Sequence, residues 1–208
     1  MLVTHLGHAC VLVETDSATL LIDPGVMSDV DGVTGPDAVL LTHKHPDHMD
    51  REKVRGLLAA NRQAALVVPG DIDAEPSGLP DHQVAVPGET LKFGDTVVDV
   101  VGGRHATVHE EIPSCVNLGY LIDGGAFFHP GDSFHVPDVD VDVLAVAIDG
   151  PWLKIAEAID YVRRVGPRVA IPIHEGETSD PAKYVGMLNK VVGGDVVRHL
   201  DRGLITQL

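Results

Sequence analysis

The sequence predicts a mixed α/β or α+β fold, and three observations carry that prediction. Apolar runs of strand length open each half of the chain, stripes with apolar residues three and four apart arrive later, and glycine- or proline-rich breaks separate them. The 208 residues, 44% of them hydrophobic, suffice for one domain, 1–208, with a substantial core.

Residues 2–13 and 18–22 run apolar or alternate around Glu14-Thr15-Asp16-Ser17, which predicts an opening β-hairpin. Asp23-Pro24-Gly25 ends the second strand with turn chemistry, and the glycine- and aspartate-rich stretch 26–36 reads as a loop. Residues 37–42 form a buried strand. Asp50 then caps a helix to about residue 61, with Val54, Leu57 and Leu58 on one side. A short buried strand at 64–68 precedes an acidic loop, 70–81. Short strands follow at 83–86, 90–93 and 96–101, with turns at Pro87-Gly88 and Gly94-Asp95.

Residues 114–122 and 126–129 flank Asp123-Gly124-Gly125, a hairpin signal. The run 141–148 is apolar enough for a strand covered on both faces. After it, Trp152, Ile155, Ala156, Ile159 and Val162 make the stripe of a helix over 151–165. A strand at 168–173 comes next. Asp180 and Pro181 open a last helix that Gly193-Gly194 closes, and 196–200 with 204–207 read as a terminal hairpin around Asp201-Arg202-Gly203.

The chemistry concentrates in Thr42-His43-Lys44-His45-Pro46-Asp47-His48, on a strand-to-helix loop. Three imidazoles and a carboxylate within six positions suit a transition metal such as zinc, iron or manganese, whereas calcium or magnesium would take an all-oxygen set. Three more candidates end apolar runs at glycine- or proline-rich breaks: His105, Asp132 and His174.

With the opening Leu6-Gly7-His8-Ala9 and the turn Ile22-Asp23-Pro24-Gly25, this pattern resembles the metallo-β-lactamase fold superfamily, most of all the branch of ascorbate-phosphate lactonases and uncharacterised metal-dependent hydrolases. The resemblance implies a four-layer αββα sandwich. It also implies that His43, His45 and His105 hold one divalent ion, that Asp47, His48 and His174 hold a second, and that Asp132 bridges the two. Zinc is the usual metal of the superfamily, with manganese or iron open. Water between two such cations loses a proton near neutral pH, so the expected activity is hydrolysis of a small-molecule lactone, ester or phosphodiester. Asp47 is the candidate to orient that nucleophile and accept its proton. A diiron redox protein and a metal-binding protein without turnover are the alternatives on the same site.

Four further residues are candidates for supporting roles. Asp23, in the resembled family, backs the histidine loop; it could equally be a plain turn residue. His8 and His129 could support a ligand or donate a proton, or could be buried histidines satisfied by backbone carbonyls. Lys154, in the expected first turn of a helix, could meet an anionic substrate or simply be solvated. His5, His82, His109, His135 and His199 fit no pattern and read mostly as surface residues.

Composition narrows the partners. A formal charge of −16 with no basic cluster opposes binding to nucleic acid. No apolar stretch approaches the ~20 residues of a membrane span, and the N-terminus lacks signal-peptide character, so a cytoplasmic location is expected. Cys10 and Cys115 lie in apolar runs and read as buried free thiols.

Overall fold

The structure, a computed structural model, describes residues 1–73 and 78–208. Part of the expected 70–81 loop lies outside the described residues; its start, Gly70–Asp73, is a short helix.

Two sheets account for the strands. In the first, β1 (Leu2–Gly7), β2 (Cys10–Glu14) and β3 (Thr19–Ile22) are antiparallel neighbours, and β4 (Ala38–Leu40), β5 (Ala65–Pro69) and β6 (Gln83–Ala85) continue in parallel from β3. In the second, β7 (Thr90–Phe93), β8 (Thr96–Gly102), β9 (Leu118–Ile122) and β10 (Phe127–His129) are antiparallel, and β11 (Val143–Ala147) and β12 (Val169–Ile173) extend it in parallel. A last strand, β13 (Ile205–Gln207), returns to the first sheet and pairs antiparallel with β1. Parallel neighbours need a crossover, which helix α1 (Arg51–Ala60) supplies between β4 and β5; helix α3 (Ile155–Val165), after the short helix α2 (Gly70–Asp73), supplies it between β11 and β12. Helix α4 (Pro181–Val192) follows β12.

Strand alternation sorts the apolar side chains into layers. Leu20, Ile22 and Leu40 face inward and meet Val98, Tyr120, Phe127 and Ile171 of the other sheet. Leu21, Val39 and Leu66 point outward under Val54 and Leu57 of α1. On the far side Leu144, Val146 and Ala170 lie under Tyr161, Val162 and Leu188 of α3 and α4. Helix, sheet, sheet, helix is the αββα arrangement that the resemblance implied. Asp50 caps α1 by accepting the N–H groups of Glu52 and Lys53, and Asp180 caps α4 by accepting that of Lys183.

Further expectations need correction. The opening run 2–13 is two strands, because Gly7 at φ +106° and His8 at φ +55° turn the chain back on itself. The helix expected from residue 151 starts at Ile155: Gly150 at φ +145° and a turn from the Leu153 N–H to the Gly150 carbonyl, 3.1 Å, keep Pro151 and Trp152 outside it. The terminal hairpin does not form; β13 pairs with β1, while Val197 makes only an isolated bridge to Ala170. Cys115 is half-buried, although Cys10 is buried; both are free thiols. No helix among the described residues is long and apolar enough to cross a membrane.

Candidate metal centre

Every candidate ligand stands just past the carboxyl end of a strand. The His43–His48 loop follows β4, His105 follows β8, Asp132 follows β10 and His174 follows β12. His8 and Asp23 follow β1 and β3 from the same end. The two sheets thus aim loops from both halves of the chain at one place. Three groups of donor atoms gather there, each within 4.8 Å: His43 with His45 and His105; His8 with Asp47, His48 and His174; and His43 with His48 and Asp132.

Hydrogen bonds behind the rings fix which nitrogen faces the centre. Asp23, fully buried, accepts the Thr42 N–H at 2.7 Å, the Thr42 hydroxyl at 2.6 Å and His48 Nδ1 at 2.7 Å. With its proton given to Asp23, the Thr42 hydroxyl accepts from His43 Nδ1 at 3.0 Å. His105 Nδ1 donates to the Ala106 carbonyl at 2.6 Å. His43, His48 and His105 therefore all turn Nε2 inward, as metal-ligating histidines do when their other nitrogen is held. Asn117, fully buried, accepts the Asp132 N–H at 2.9 Å and donates to the Pro130 carbonyl at 2.8 Å, which pins the turn carrying Asp132.

Asp132 lies between the groups. Its Oδ1 is 3.2 Å from His48 Nε2, and its Oδ2 is 3.3 Å from His105 Nε2, 3.3 Å from His174 Nε2 and 3.9 Å from His43 Nε2. Asp47 Oδ2 is 3.3 Å from His174 Nε2 and 3.1 Å from His8 Nε2. Burial works against the charge on both carboxylates. The surrounding histidines, led by the charge of His48 at Asp132 and the hydrogen bonds of His174 and His8 at Asp47, outweigh it and hold both far below the usual range. Burial likewise opposes protonation of His48 and His174, but Asp132 and Asp23 carry His48 well above its ordinary value, and Asp132 and Asp47 carry His174 to about 9. Burial, then neighbouring histidines, hold His43 and His45 down.

The donor set fits a divalent transition metal. Imidazole nitrogen and carboxylate oxygen are the right types, and His48 Nε2, His105 Nε2 and Asp132 Oδ1 are buried with no hydrogen-bond partner although they crowd together. Leaving such atoms unmet costs about 1–3 kcal/mol each, which a shared cation would remove.

A cavity of about 330 Å³ opens over the cluster. Asp47, Asp132 and His174 reach its floor, and Val26, Met27, Pro46, Val108, Pro151 and Trp152 make its walls, with Glu177 the one additional charged residue among the described residues. Lys53 Nζ holds the wall loop from behind by donating to the carbonyls of Gly25, Val26 and Ser28 at 2.8, 3.1 and 2.6 Å. A larger hollow, about 560 Å³, lies around Arg202 and touches none of the candidate ligands.

The supporting candidates separate. His8 Nδ1 accepts the Gly176 N–H at 3.3 Å, so its proton sits on Nε2 and is donated to Asp47. His129 spends both nitrogens on backbone, donating from Nε2 to the Ala9 carbonyl at 2.9 Å and accepting the Gly131 N–H at Nδ1 at 3.1 Å. Lys154 is exposed, does not line the cavity, and heads α3 with its backbone N–H on Glu157 at 2.7 Å. His5, expected at the surface, is buried: its Nε2 donates to the His8 carbonyl at 3.0 Å and lies 3.4 Å from Glu175, whose other oxygen accepts the His8 N–H at 2.9 Å.

Two residues at the cluster escaped the sequence reading. Cys115 Sγ lies 3.9 Å from His45 Nε2, and burial, helped by Asp71, pushes its thiol up to about 11. Trp152, read as core at helical spacing, donates its indole N–H to Asp132 Oδ2 at 3.0 Å. The only sequence signal for it was Gly150-Pro151, a break that the helical stripe masked.

The sequence profile of a β-lactamase superfamily domain matches residues 2–174. Protein Rv0786c of Mycobacterium tuberculosis is 41% identical over 202 residues, covering 94% of each chain. A UPF0173 metal-dependent hydrolase of Methanoregula boonei is 28% identical, over 84% of this chain and 82% of that one. Among solved structures, the metallo hydrolase Igni18 of Ignicoccus hospitalis superposes with a TM-score of 0.77 at 21% identity, over 99% of this chain and 97% of that one. The diiron β-hydroxylase CmlA of Streptomyces venezuelae gives 0.74 at 18% identity, over all of this chain but 54% of its own. The profile spans most of the chain, and the two packed sheets are those of the metallohydrolase neighbours: the chain belongs to the metallo-β-lactamase superfamily.

Proposed function

We propose that the chain is a metal-dependent hydrolase that uses two divalent ions to cleave a small-molecule ester or lactone with water. The observation that carries this reading is the position of Asp132 between two sets of imidazoles, with buried donor atoms left unmet on both sides. His43, His45 and His105 would hold one ion, Asp47, His48 and His174 the other, and Asp132 would be shared. Two divalent ions there, zinc foremost and manganese or iron as alternatives, would supply a hydroxide nucleophile at neutral pH and polarise the bond under attack.

The protein's own part is positioning and proton transfer. Asp47 reaches the cavity floor, orients the attacking water and takes its proton on a carboxylate oxygen, while the Nε2–H of His8 holds the carboxylate in place through Oδ2. Wall chemistry favours an uncharged substrate: among the described residues no lysine or arginine lines the cavity, and Glu177 adds negative charge. A phosphodiester is the second reading, since the ions could themselves meet its anion. Nucleic acid is disfavoured by the same walls and by the net charge of −16.

Metal analysis of the purified protein, followed by assay of 4-nitrophenyl esters, lactones and bis(4-nitrophenyl) phosphate, tests the reading. Two ions per chain with ester or lactone turnover are expected; iron with no turnover of any of them would favour a redox use of the site. Asp47→Asn should lower kcat by 10²–10⁴-fold, the usual contribution of a positioned proton acceptor, while thermal unfolding of the chelator-treated protein shifts little. An unchanged rate removes Asp47 from the mechanism.

A further inference from the structure

We propose that the indole N–H of Trp152 sets the orientation of the carboxylate shared by the two ion sites, which makes Trp152 a positioning residue of the centre. The inference rests on the dinuclear reading above and adds a residue that the resemblance did not supply. Trp152 Nε1 donates to Asp132 Oδ2 at 3.0 Å, and the ring is only 7% exposed. It stands edge-on to His105 and His174, with ring centres 5.8 and 6.0 Å away and planes at 77° and 83°, and Phe134 backs it at 5.5 Å. The indole is therefore wedged between one candidate ligand of each ion and bonded to the carboxylate between them.

The backbone is built for that placement. A Cβ on Gly150 would lie 3.0 Å from Trp152 Nε1 and 3.3 Å from Trp152 Cε2, tighter than most real contacts, and the φ of +145° suits glycine. Absence of a side chain at 150 lets the indole nitrogen reach past the β11 end to Asp132.

The chemistry of the donor matters as much as its position. The terminal torsion of an aspartate is broad, so a bridging carboxylate needs a bond that holds its plane. A histidine nitrogen that ligates an ion carries no proton to donate to Asp132. An indole N–H is a donor only, neither ligating nor ionising. It engages one lone pair of Oδ2 and leaves Oδ1 and the remaining lone pair for metal, with or without ions present.

Because Trp152 is the chain's single tryptophan, two clean experiments are available. Intrinsic fluorescence reports this site alone, and feeding the benzothiophene analogue of tryptophan during biosynthesis replaces one N–H by sulfur while keeping the ring. Titrating chelator-treated wild-type protein with Zn²⁺ should change the emission saturably, with a midpoint that matches the metal uptake. The analogue protein should unfold at the wild-type temperature and keep its KM, yet bind Zn²⁺ about 10–100-fold more weakly, the cost of losing an outer partner of a ligand. Its kcat should fall with the affinity. Trp152→Phe, which also lacks the donor, should show the same loss of affinity.

Wild-type Zn²⁺ affinity and kcat in the analogue protein would overturn the proposal and leave the dinuclear reading intact. A wild-type protein that takes up no metal would overturn both.

Discussion

At the scale of single residues, the site depends on which ring nitrogen carries a proton, and His129 shows the same logic used for stability. Its Nδ1 accepts an N–H and its Nε2 donates to a carbonyl, so only the neutral ring satisfies both bonds. Burial lowers its pKa, and the charge of Asp23 and the bond to Ala9 offset this only in part. A folded-state pKa below the unfolded value near 6.5 means that the contribution of this histidine is whole above pH 6.5 and is lost as pH falls below it, because the unfolded chain takes the proton more readily. His129→Gln should cost about 1–3 kcal/mol at pH 7.5, the usual cost of unmet backbone groups. Its urea midpoint should nonetheless fall less than the wild type's between pH 7.5 and 5.5 in chelator-treated protein. Equal slopes for the two proteins would mean that His129 takes up its proton as readily in the fold as in the unfolded chain. His8 shows the same choice of ring nitrogen with a side-chain partner: its Nδ1 accepts the Gly176 N–H and its Nε2–H is spent on Asp47.

At the scale of elements, the histidine loop is locked by the turn after β3. A Cβ on Gly25 would fall 1.7 Å from the Asp47 carbonyl oxygen and 2.6 Å from the His48 nitrogen, both backbone atoms that cannot swing away. Gly25→Ala should therefore displace the loop, reduce the bound metal below two ions per chain and destabilise the fold by about 1–3 kcal/mol, as overpacking does. Gly56→Ala is the control. It sits on the exposed side of α1, and apart from the helix's own backbone and its chain neighbours no atom of the described residues comes within 4 Å of the added methyl, so it should stabilise by about 0.5–1 kcal/mol with full metal content. Metal analysis and thermal melts of the two variants decide the matter. The contrast also marks what the sequence could reveal. His43 to His48 were legible because a short loop keeps its ligands together whatever the rest of the chain does, and the αββα layering followed from the resemblance those residues carry. His8 sat inside what looked like one long strand, and only Gly7 hinted at the turn that puts it behind Asp47. Trp152 falls three residues before Ile155, the spacing of a helical stripe, and no side-chain cap at Lys154 announced that the helix begins later. Residues 204–207 had the pattern of a strand but nothing local to name β1 as the partner.

At the scale of the whole molecule, the centre is where the two halves of the chain are tied together. The first sheet brings His8, Asp23 and the 43–48 loop; the second brings His105, Asp132, Trp152 and His174. Protein bonds already cross there: the Leu118 N–H reaches the Thr42 carbonyl at 2.8 Å, the His174 N–H reaches the His8 carbonyl at 3.0 Å, and the Tyr120 hydroxyl reaches the Leu41 carbonyl at 2.7 Å. Two ions would add links between distant parts of the sequence and neutralise part of the charge of −16, and the unfolded chain offers no comparable site. Ion binding should then appear as folding stability. At a free-ion concentration 100 times Kd, one site contributes about 2.7 kcal/mol. For a chain of this size that is a rise in Tm of about 5–11 °C, reversed by chelator. Scanning calorimetry with Zn²⁺ or Mn²⁺ buffered at several free concentrations measures it, and the rise should track the logarithm of concentration above Kd. A chain that binds two ions by analysis but melts at the same temperature with and without them would place those ions somewhere other than between the sheets. Addition of metal to Asp47→Asn should give a smaller rise than in the wild type, because one of the links across the halves then lacks its anionic ligand.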